Sequence, residues 1–144
     1  MVIYTIGFSK KNLREFISRL QKAGVNKVID IRLNNTSQLA GYAKRDDLAF
    51  VLELVGIKYQ HIKDLAPTQD LLDDYKNKII TWNEYVDRFF MLMHSREVEK
   101  YKDQIIKSAP VCFLCAEDKP AFCHRRLVAE HFASLISETK IVHL

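Results

Sequence analysis

The stretch from Val111 to Arg126 constrains the fold of this chain more than any other. An apolar run of β-type residues ends at Cys115, and a polar loop containing Pro120 follows it. From Leu127 onwards, apolar residues recur at the spacing of one helix face. The stretch therefore predicts a strand, a tight loop and a helix that begins near Cys123.

The predicted first turn of this helix has an unusual composition. It contains Cys123, His124, Arg125 and Arg126. Backbone N–H groups lack partners in a first turn, and the helix dipole there favours anions over cations. Two arginines oppose that dipole, so stability alone does not explain them. We therefore expect a bound oxyanion, held by N–H groups and guanidinium together.

The rest of the chain alternates short β-type runs with amphipathic helical patterns. The predicted strands cover residues 2–6, 27–32, 57–62, 111–115 and 140–144, and Ser9 is a plausible N-cap for the first helix. A chain of 144 residues, 48% hydrophobic and 28% charged, suits one compact domain. We predict a single α/β domain over residues 1–144, with a mostly parallel five-stranded sheet and helices on both faces.

The carboxyl ends of the predicted strands gather most of the chemically versatile residues. Ligands of open parallel sheets bind beyond these ends, where the strand order reverses. The residues in question are Gly7, Ser9, Asp30, Arg32, His61, Cys115 and Glu117. If the strand order is 3-2-1-4-5, the loops after Gly7 and Cys115 flank one crevice.

Three motifs carry a family resemblance. They are C-A-E-x-x-P-x-x-C-H-R at residues 115–125, T-I-G at 5–7 and D-I-R at 30–32. Together they resemble DUF488, a family of small α/β proteins whose biochemical function is unassigned. The resemblance implies an α/β fold and supplies no reaction. The chain departs from the family pattern at Phe8, where the family often has histidine, and at 63–68, where it usually has proline and two glycines.

Cys123 is the candidate nucleophile, because a helix N-terminus and neighbouring cations favour its thiolate form. His124 is a candidate general acid or base, and Asp30 either a base or the group that orients an arginine. Each has an ordinary structural interpretation that remains open. Cys123 could be a small buried residue between the helix and the sheet. His124 could form a structural hydrogen bond to a carbonyl, and Asp30 could form a buried ion pair with Arg32.

Arg32 and Arg125 suit forked recognition of phosphate or carboxylate. The expected ligand-binding set is Gly7, Ser9, Arg32, His61, Cys115, Glu117 and Arg125. A metal site built from Cys115, Cys123 and His124 is an alternative, completed by Glu117 or His61. The usual two-cysteine zinc spacing is absent, so we assign no metal and name no cofactor.

The composition limits the classes of partner that the protein can have. A formal net charge of +4 is too small for a dedicated nucleic-acid binder, although a phosphate-bearing small molecule or a nucleic-acid end remains possible. The sequence shows no signal-peptide pattern or membrane-length apolar run, and three cysteines suggest free thiols, so we expect a cytoplasmic protein. The alternative to a catalytic pocket is a nucleic-acid or protein-binding module with a structural Cys-His-Arg cluster.

Overall fold

The computed structural model describes residues 1–144 as one sheet covered by helices on both faces, which confirms the predicted fold class. The strands are β1 Val2–Gly7, β2 Lys27–Asp30, β3 Lys58–His61, β4 Val111–Cys115 and β5 Lys140–His143. The helices are α1 Leu13–Lys22, α2 Arg45–Leu54, α3 Gln69–Lys76, α4 Trp82–Ser95, α5 Lys102–Lys107 and α6 His124–Leu135. Short 3-10 turns cover Gln38–Ala43, Lys63–Leu65 and Val98–Tyr101.

The five strands are all parallel, but their order is β3-β2-β4-β1-β5. The order 3-2-1-4-5 is therefore wrong, because β1 and β4 exchange places. All five residues of β4 are buried, as expected of the central strand, and this strand pairs with both β1 and β2. Gly7 lies opposite Cys115, and Asp30 lies opposite Leu114, so the three loops after these strands meet.

Two apolar layers sandwich the sheet, because successive strand residues point to opposite faces. One layer contains α1 and α2 and receives Cys112 and Leu114 from β4. The other contains α4 and α6 and receives Val111 and Phe113. Cys112 is fully buried in the first of these layers.

The helix starts determine where the loops after the strands end. The helix α6 begins at His124, close to the predicted start near Cys123, and Cys123 is its N-cap residue. The prediction of Ser9 as the N-cap of α1 is wrong, because Asn12 holds that position and its side chain accepts a hydrogen bond from the Glu15 N–H at 2.8 Å. None of the helices combines the length and the apolar character that a membrane span requires.

Candidate functional site

A cavity of about 300 Å³ opens at the carboxyl ends of β2 and β4, and we call it the strand-end cavity. Five of the predicted site residues line it: Arg32, Cys115, Glu117, Cys123 and His124. The remaining lining residues are Phe8, Leu33, Asn34, Ser37, Leu39, Ala40, Pro67, Leu72 and Ala116. The volume is at the lower end of the range for small-molecule sites, which runs from roughly 300 to 1,000 Å³.

Arg32 extends from the end of β2 into the cavity wall in a fixed orientation. Its Nε donates to Asp30 Oδ1 and its Nη2 donates to Asp30 Oδ2, both at 2.8 Å. The guanidinium carbon also lies 5.3 Å from the centre of the Phe8 ring. Only 4% of Arg32 is exposed, and its Nη1 has no hydrogen-bond partner. One forked edge of the guanidinium is therefore used by the protein, while the Nη1 donors remain unused.

Asp30 is fully buried and is surrounded by donors. Its carboxylate accepts hydrogen bonds from the Arg32 N–H, Nε and Nη2, and from Asn35 Nδ2 and the Tyr59 hydroxyl. Burial alone raises the pKa of this carboxyl group, but the hydrogen bonds and charge of Arg32 outweigh it and hold the pKa below its ordinary value. With its oxygens occupied in this way, Asp30 has the geometry of a group that orients Arg32.

Two histidines hold the segment that carries Arg32. His124 Nε2 lies 2.7 Å from the Ile31 carbonyl oxygen, and His61 Nε2 lies 2.7 Å from that of Arg32. A carbonyl only accepts, so both Nε2 atoms carry the proton. His61 thereby supports the backbone of Arg32 from β3 and does not line the cavity.

The bond to Ile31 determines which nitrogen of His124 faces the nearest thiol. In the neutral ring, Nδ1 is then unprotonated, and it lies 3.9 Å from Cys123 Sγ. The Cys123 thiol, the His124 imidazole and the Ile31 carbonyl oxygen thus lie in sequence, and the carbonyl fixes the orientation of the ring. His124 is only 9% exposed, but it reaches the cavity.

Cys123 Sγ also lies 2.7 Å from Cys115 Sγ, and both cysteines are free thiols. A hydrogen bond from the Cys115 thiol lowers the pKa of Cys123, with further lowering from a charged His124 and from the Arg125 N–H, and together these outweigh burial, which raises it. Burial raises the pKa of Cys115, and the hydrogen bond and charge of Cys123 raise it further. The pair therefore favours a thiolate at Cys123 and a protonated thiol at Cys115.

Arg125 lies behind the cavity wall and not in it. It is fully buried, and its Nη2 donates to the Asp118 carbonyl at 3.0 Å. Its Nε and Nη1 have no hydrogen-bond partner. The predicted direct contact between Arg125 and a ligand therefore does not match its position, because the loop that contains Glu117 and Asp118 covers the guanidinium.

Gly7 and Ser9 also lie outside the cavity lining. A Cβ atom at Gly7 would stand 1.6 Å from the Glu117 carbonyl oxygen, so the loop after β4 approaches this glycine too closely for any side chain. The Ser9 N–H donates to the Ala116 carbonyl at 3.1 Å. Both residues hold the loop in place, where the sequence had suggested ligand contacts.

The loop between β4 and α6 is anchored by an ion pair as well. Lys11 Nζ lies 2.8 Å from Asp118 Oδ1, although only 8% of Lys11 is exposed. The hydroxyl of Tyr42 donates to the carbonyls of Phe8 and Lys11, both at 3.0 Å. These contacts connect the loops after β1, β2 and β4 around the cavity.

A second hollow, of about 550 Å³, adjoins the first, and we call it the side hollow. It shares Leu72, Glu117, Cys123 and His124 with the strand-end cavity. Its other lining residues are Gln69, Asp73, Tyr75, Lys76, Tyr85 and Phe122. Cys123 and His124 therefore border both hollows.

Sequence reasoning missed most of the apolar wall. Leu33, Leu39 and Ala40 belong to a segment without helical or strand periodicity, which predicted only a loop. Pro67 and Leu72 come from the connection after β3 and from α3. The available signal was the presence of apolar residues inside otherwise polar loop segments. No three His, Cys, Asp or Glu side chains are grouped as they would be to hold a metal ion.

The fold and the site together define a parallel α/β domain with a cysteine-containing crevice at the carboxyl ends of its central strands. The model of the DUF488 family, described as a domain of unknown function, matches residues 12–132. The chain therefore belongs to the DUF488 family. Comparison with curated proteins and with solved structures gave no match.

We expect Cys123 to react with iodoacetamide at pH 7 at least about tenfold faster than Cys112. Cys123 borders both hollows and has a lowered pKa, whereas burial raises the pKa of Cys112, which has no exposed surface. Peptide mapping over a time course measures both rates. In urea the difference should disappear. Equal rates in the folded protein would contradict an activated thiol at this position.

Proposed function

We propose that the protein binds a small oxyanion-bearing molecule in the strand-end cavity, with Arg32 as the anion anchor. The observation that carries this proposal is the buried, unpartnered Nη1 of Arg32 in the cavity wall. A buried donor without a partner costs about 1–3 kcal/mol, and an anionic ligand would remove that cost. Asp30 holds the opposite edge of the guanidinium, so the free edge is already oriented before the ligand arrives.

The shape and lining of the cavity narrow the class of ligand. Phe8, Leu33, Pro67 and Leu72 supply an apolar surface beside the Arg32 donors. The best match is a molecule with one anionic group and a flat or apolar body, such as a nucleoside monophosphate. The small volume favours such a molecule, or the end of a nucleic acid, over a duplex. The net charge of +4 is compatible with either ligand.

The chemistry proposed for the bound ligand is attack of the Cys123 sulfur on the phosphorus of a phosphate ester, which forms an S–P bond and breaks the P–O bond to the alcohol. His124 Nδ1 takes the thiol proton and gives it to the departing alkoxide, while the Ile31 carbonyl holds the imidazole; water then hydrolyses the S–P bond and restores the thiol. Asp30 and His61 act as positioning residues through Arg32. Arg125 holds the loop above it through the Asp118 carbonyl, and its backbone N–H stabilises the Cys123 thiolate. Free thiols need a reducing compartment, so the cytoplasm is the proposed location.

The second candidate is a non-catalytic nucleic-acid or protein-binding module with a structural Cys-His-Arg cluster. The observation that favours it is the complete burial of Arg125, which removes one of the two predicted clamps from solvent. The two candidates differ in what they require of the cavity. Only the first needs a small anion to bind at Arg32.

Calorimetric titration with phosphate, sulfate and a nucleoside monophosphate tests the proposal. We expect binding by the wild type and a loss of roughly tenfold in affinity for Arg32→Lys, because an ammonium keeps the charge but loses the guanidinium fork. Arg45→Ala is the matched control, since Arg45 is exposed and pairs only with Asp46 at the surface.

The melting temperature of each variant shows whether it is folded before titration. Arg45→Ala should bind as the wild type does. The oxyanion proposal fails if the wild type binds none of the three anions at millimolar concentration. It also fails if Arg32→Lys binds them with unchanged affinity.

A further inference from the structure

Cys115 and Cys123 form a sulfur pair that anion binding does not require. The Sγ atoms lie 2.7 Å apart at the wall shared by β4 and the start of α6. A disulfide bond is about 2.05 Å long, so covalent closure needs a movement of roughly 0.7 Å. Both sulfurs belong to residues that line the strand-end cavity, which gives a small reagent a route to them.

The two sulfurs differ in environment in the way that a reacting pair needs. Cys123 is the N-cap residue of an α-helix, and His124 Nδ1 lies 3.9 Å from its sulfur and can take its proton, so the thiolate is stabilised by the helix N-terminus and the resulting imidazolium. Cys115 ends the central strand and is 1% exposed, and burial raises the pKa of its thiol, which therefore keeps its proton. The stabilised thiolate of Cys123 is therefore the attacking group, and the protonated thiol of Cys115 is the resolving one.

A buried cation favours the thiolate that Cys115 must form in the second step of such a reaction. Arg125 is fully buried, forms no salt bridge, and leaves its Nε and Nη1 without hydrogen-bond partners. Its positive charge acts to lower the pKa of the Cys115 thiol. Negative charge on this sulfur pair therefore has a counter-charge inside the protein during the reaction.

We propose that the Cys115–Cys123 pair carries out thiol–disulfide exchange with low-molecular-weight disulfides that enter the strand-end cavity. The Cys123 thiolate attacks one sulfur of the disulfide R–S–S–R, forms a Cys123–S–S–R bond, and breaks the original S–S bond. The departing thiolate takes the proton of Cys115. This activity goes beyond the proposed anion site, because it needs only the two sulfurs.

The second step closes the protein disulfide. The Cys115 thiolate attacks the Cys123 sulfur, forms the Cys115–Cys123 bond, and releases the second R–S⁻, which takes a proton from water. Counted from the fully protonated dithiol, the protein loses two electrons and two protons, one when the Cys123 thiolate forms and one from Cys115, and one R–S–S–R becomes two R–SH. A dithiol reductant reverses the sequence. The closed form has no free Cys123 thiolate, so exchange also turns off the nucleophile.

Anaerobic incubation of the reduced protein with 2-hydroxyethyl disulfide, followed by intact-mass measurement and peptide mapping, tests the proposal. The wild type should finish without an adduct and with the Cys115 and Cys123 peptides linked. Cys115→Ser should retain one hydroxyethylthio group on Cys123. Cys123→Ser should neither form a cross-link nor retain an adduct. Cys112→Ser is the matched control, because Cys112 lies in the core away from the cavity, and it should cross-link as the wild type does.

The proposal is overturned if the wild type keeps a stable adduct without a cross-link, or if Cys115→Ser and Cys123→Ser acquire adducts equally. Thermal unfolding shows that each variant is folded, and the wild-type result alone decides if one is not. Its failure is distinct from that of the anion site. If the wild type binds phosphate but never cross-links, only the thiol–disulfide proposal fails. If it cross-links but binds no phosphate, only the anion-site proposal fails.

Discussion

Replacing Asp30 with asparagine is expected to lower the free energy of unfolding by about 3–5 kcal/mol. Asp30 is the counter-charge of Arg32, and both side chains are almost completely buried, so the variant leaves a guanidinium unpaired in the interior. Asparagine also turns one acceptor oxygen into an NH₂ group that faces donors. Urea denaturation with a fitted midpoint measures the loss, provided that the slope of the transition is unchanged.

The same carboxylate gives the prediction a pH dependence. The folded-state pKa of Asp30 lies below the ordinary value of 3.8, so its stabilisation is complete above that value. The stabilisation disappears as the pH falls through the lower folded-state pKa. Wild-type stability should therefore decline below about pH 4 more steeply than that of Asp30→Asn.

Asp46→Asn is the matched control for Asp30→Asn. Asp46 also pairs with an arginine, but its side chain is 86% exposed, and surface ion pairs contribute only about 0–1 kcal/mol. A comparably small loss for Asp30→Asn would show that the Asp30–Arg32 pair is not the buried unit described here.

Replacing Gly7 with alanine is expected to cost about 3 kcal/mol or more, at the upper end of overpacking penalties. The added Cβ would stand 1.6 Å from the Glu117 carbonyl oxygen and 2.9 Å from Arg125 Nη1. Because the first contact is with backbone, the whole loop after β4 must move. We expect the faster alkylation of Cys123 to fall as well, since this loop connects Cys115 to Cys123. Thermal unfolding and peptide mapping measure the two effects.

Gly24→Ala is the control that separates the cost of a steric clash from the cost of a strained backbone conformation. Gly24 has a φ of +70° and nothing within 4 Å of an added Cβ, so only backbone strain applies there. That strain costs roughly 1 kcal/mol. If Gly7→Ala costs no more than Gly24→Ala, then the loop after β4 is not packed against Gly7 as closely as described.

The alternation of strands and helices was readable in the sequence because each element has a clear hydrophobic period. The strand order was not readable in the same way, since β1 and β4 pair with each other in either arrangement. A signal was nevertheless present. Val111–Cys115 contains no strongly polar side chain, whereas β1 contains Tyr4 and Thr5, and the more apolar strand occupies the centre.

Proximity in the site was easier to predict than the role of each residue. Parallel strands bring their carboxyl ends together, and this places Arg32, Cys115 and Cys123 around one cavity. How deeply each side chain is buried depends on how the loops pack, and loop sequences have no hydrophobic period from which this packing could be predicted. Arg125 and Gly7 were for that reason expected to face a ligand, although the loop after β4 covers both.

The central position of β4 has a consequence for the order in which the chain becomes able to fold during synthesis. Translation completes β1, β2 and β3 before β4, yet β1 and β2 are not neighbours and meet only through β4. A nascent chain that stops before Val111 can pair β2 with β3, but its β1 has neither of its two strand partners. The edges of β1 and β2 that face β4 therefore stay unpaired until β4 emerges. During this interval the chain is most exposed to aggregation.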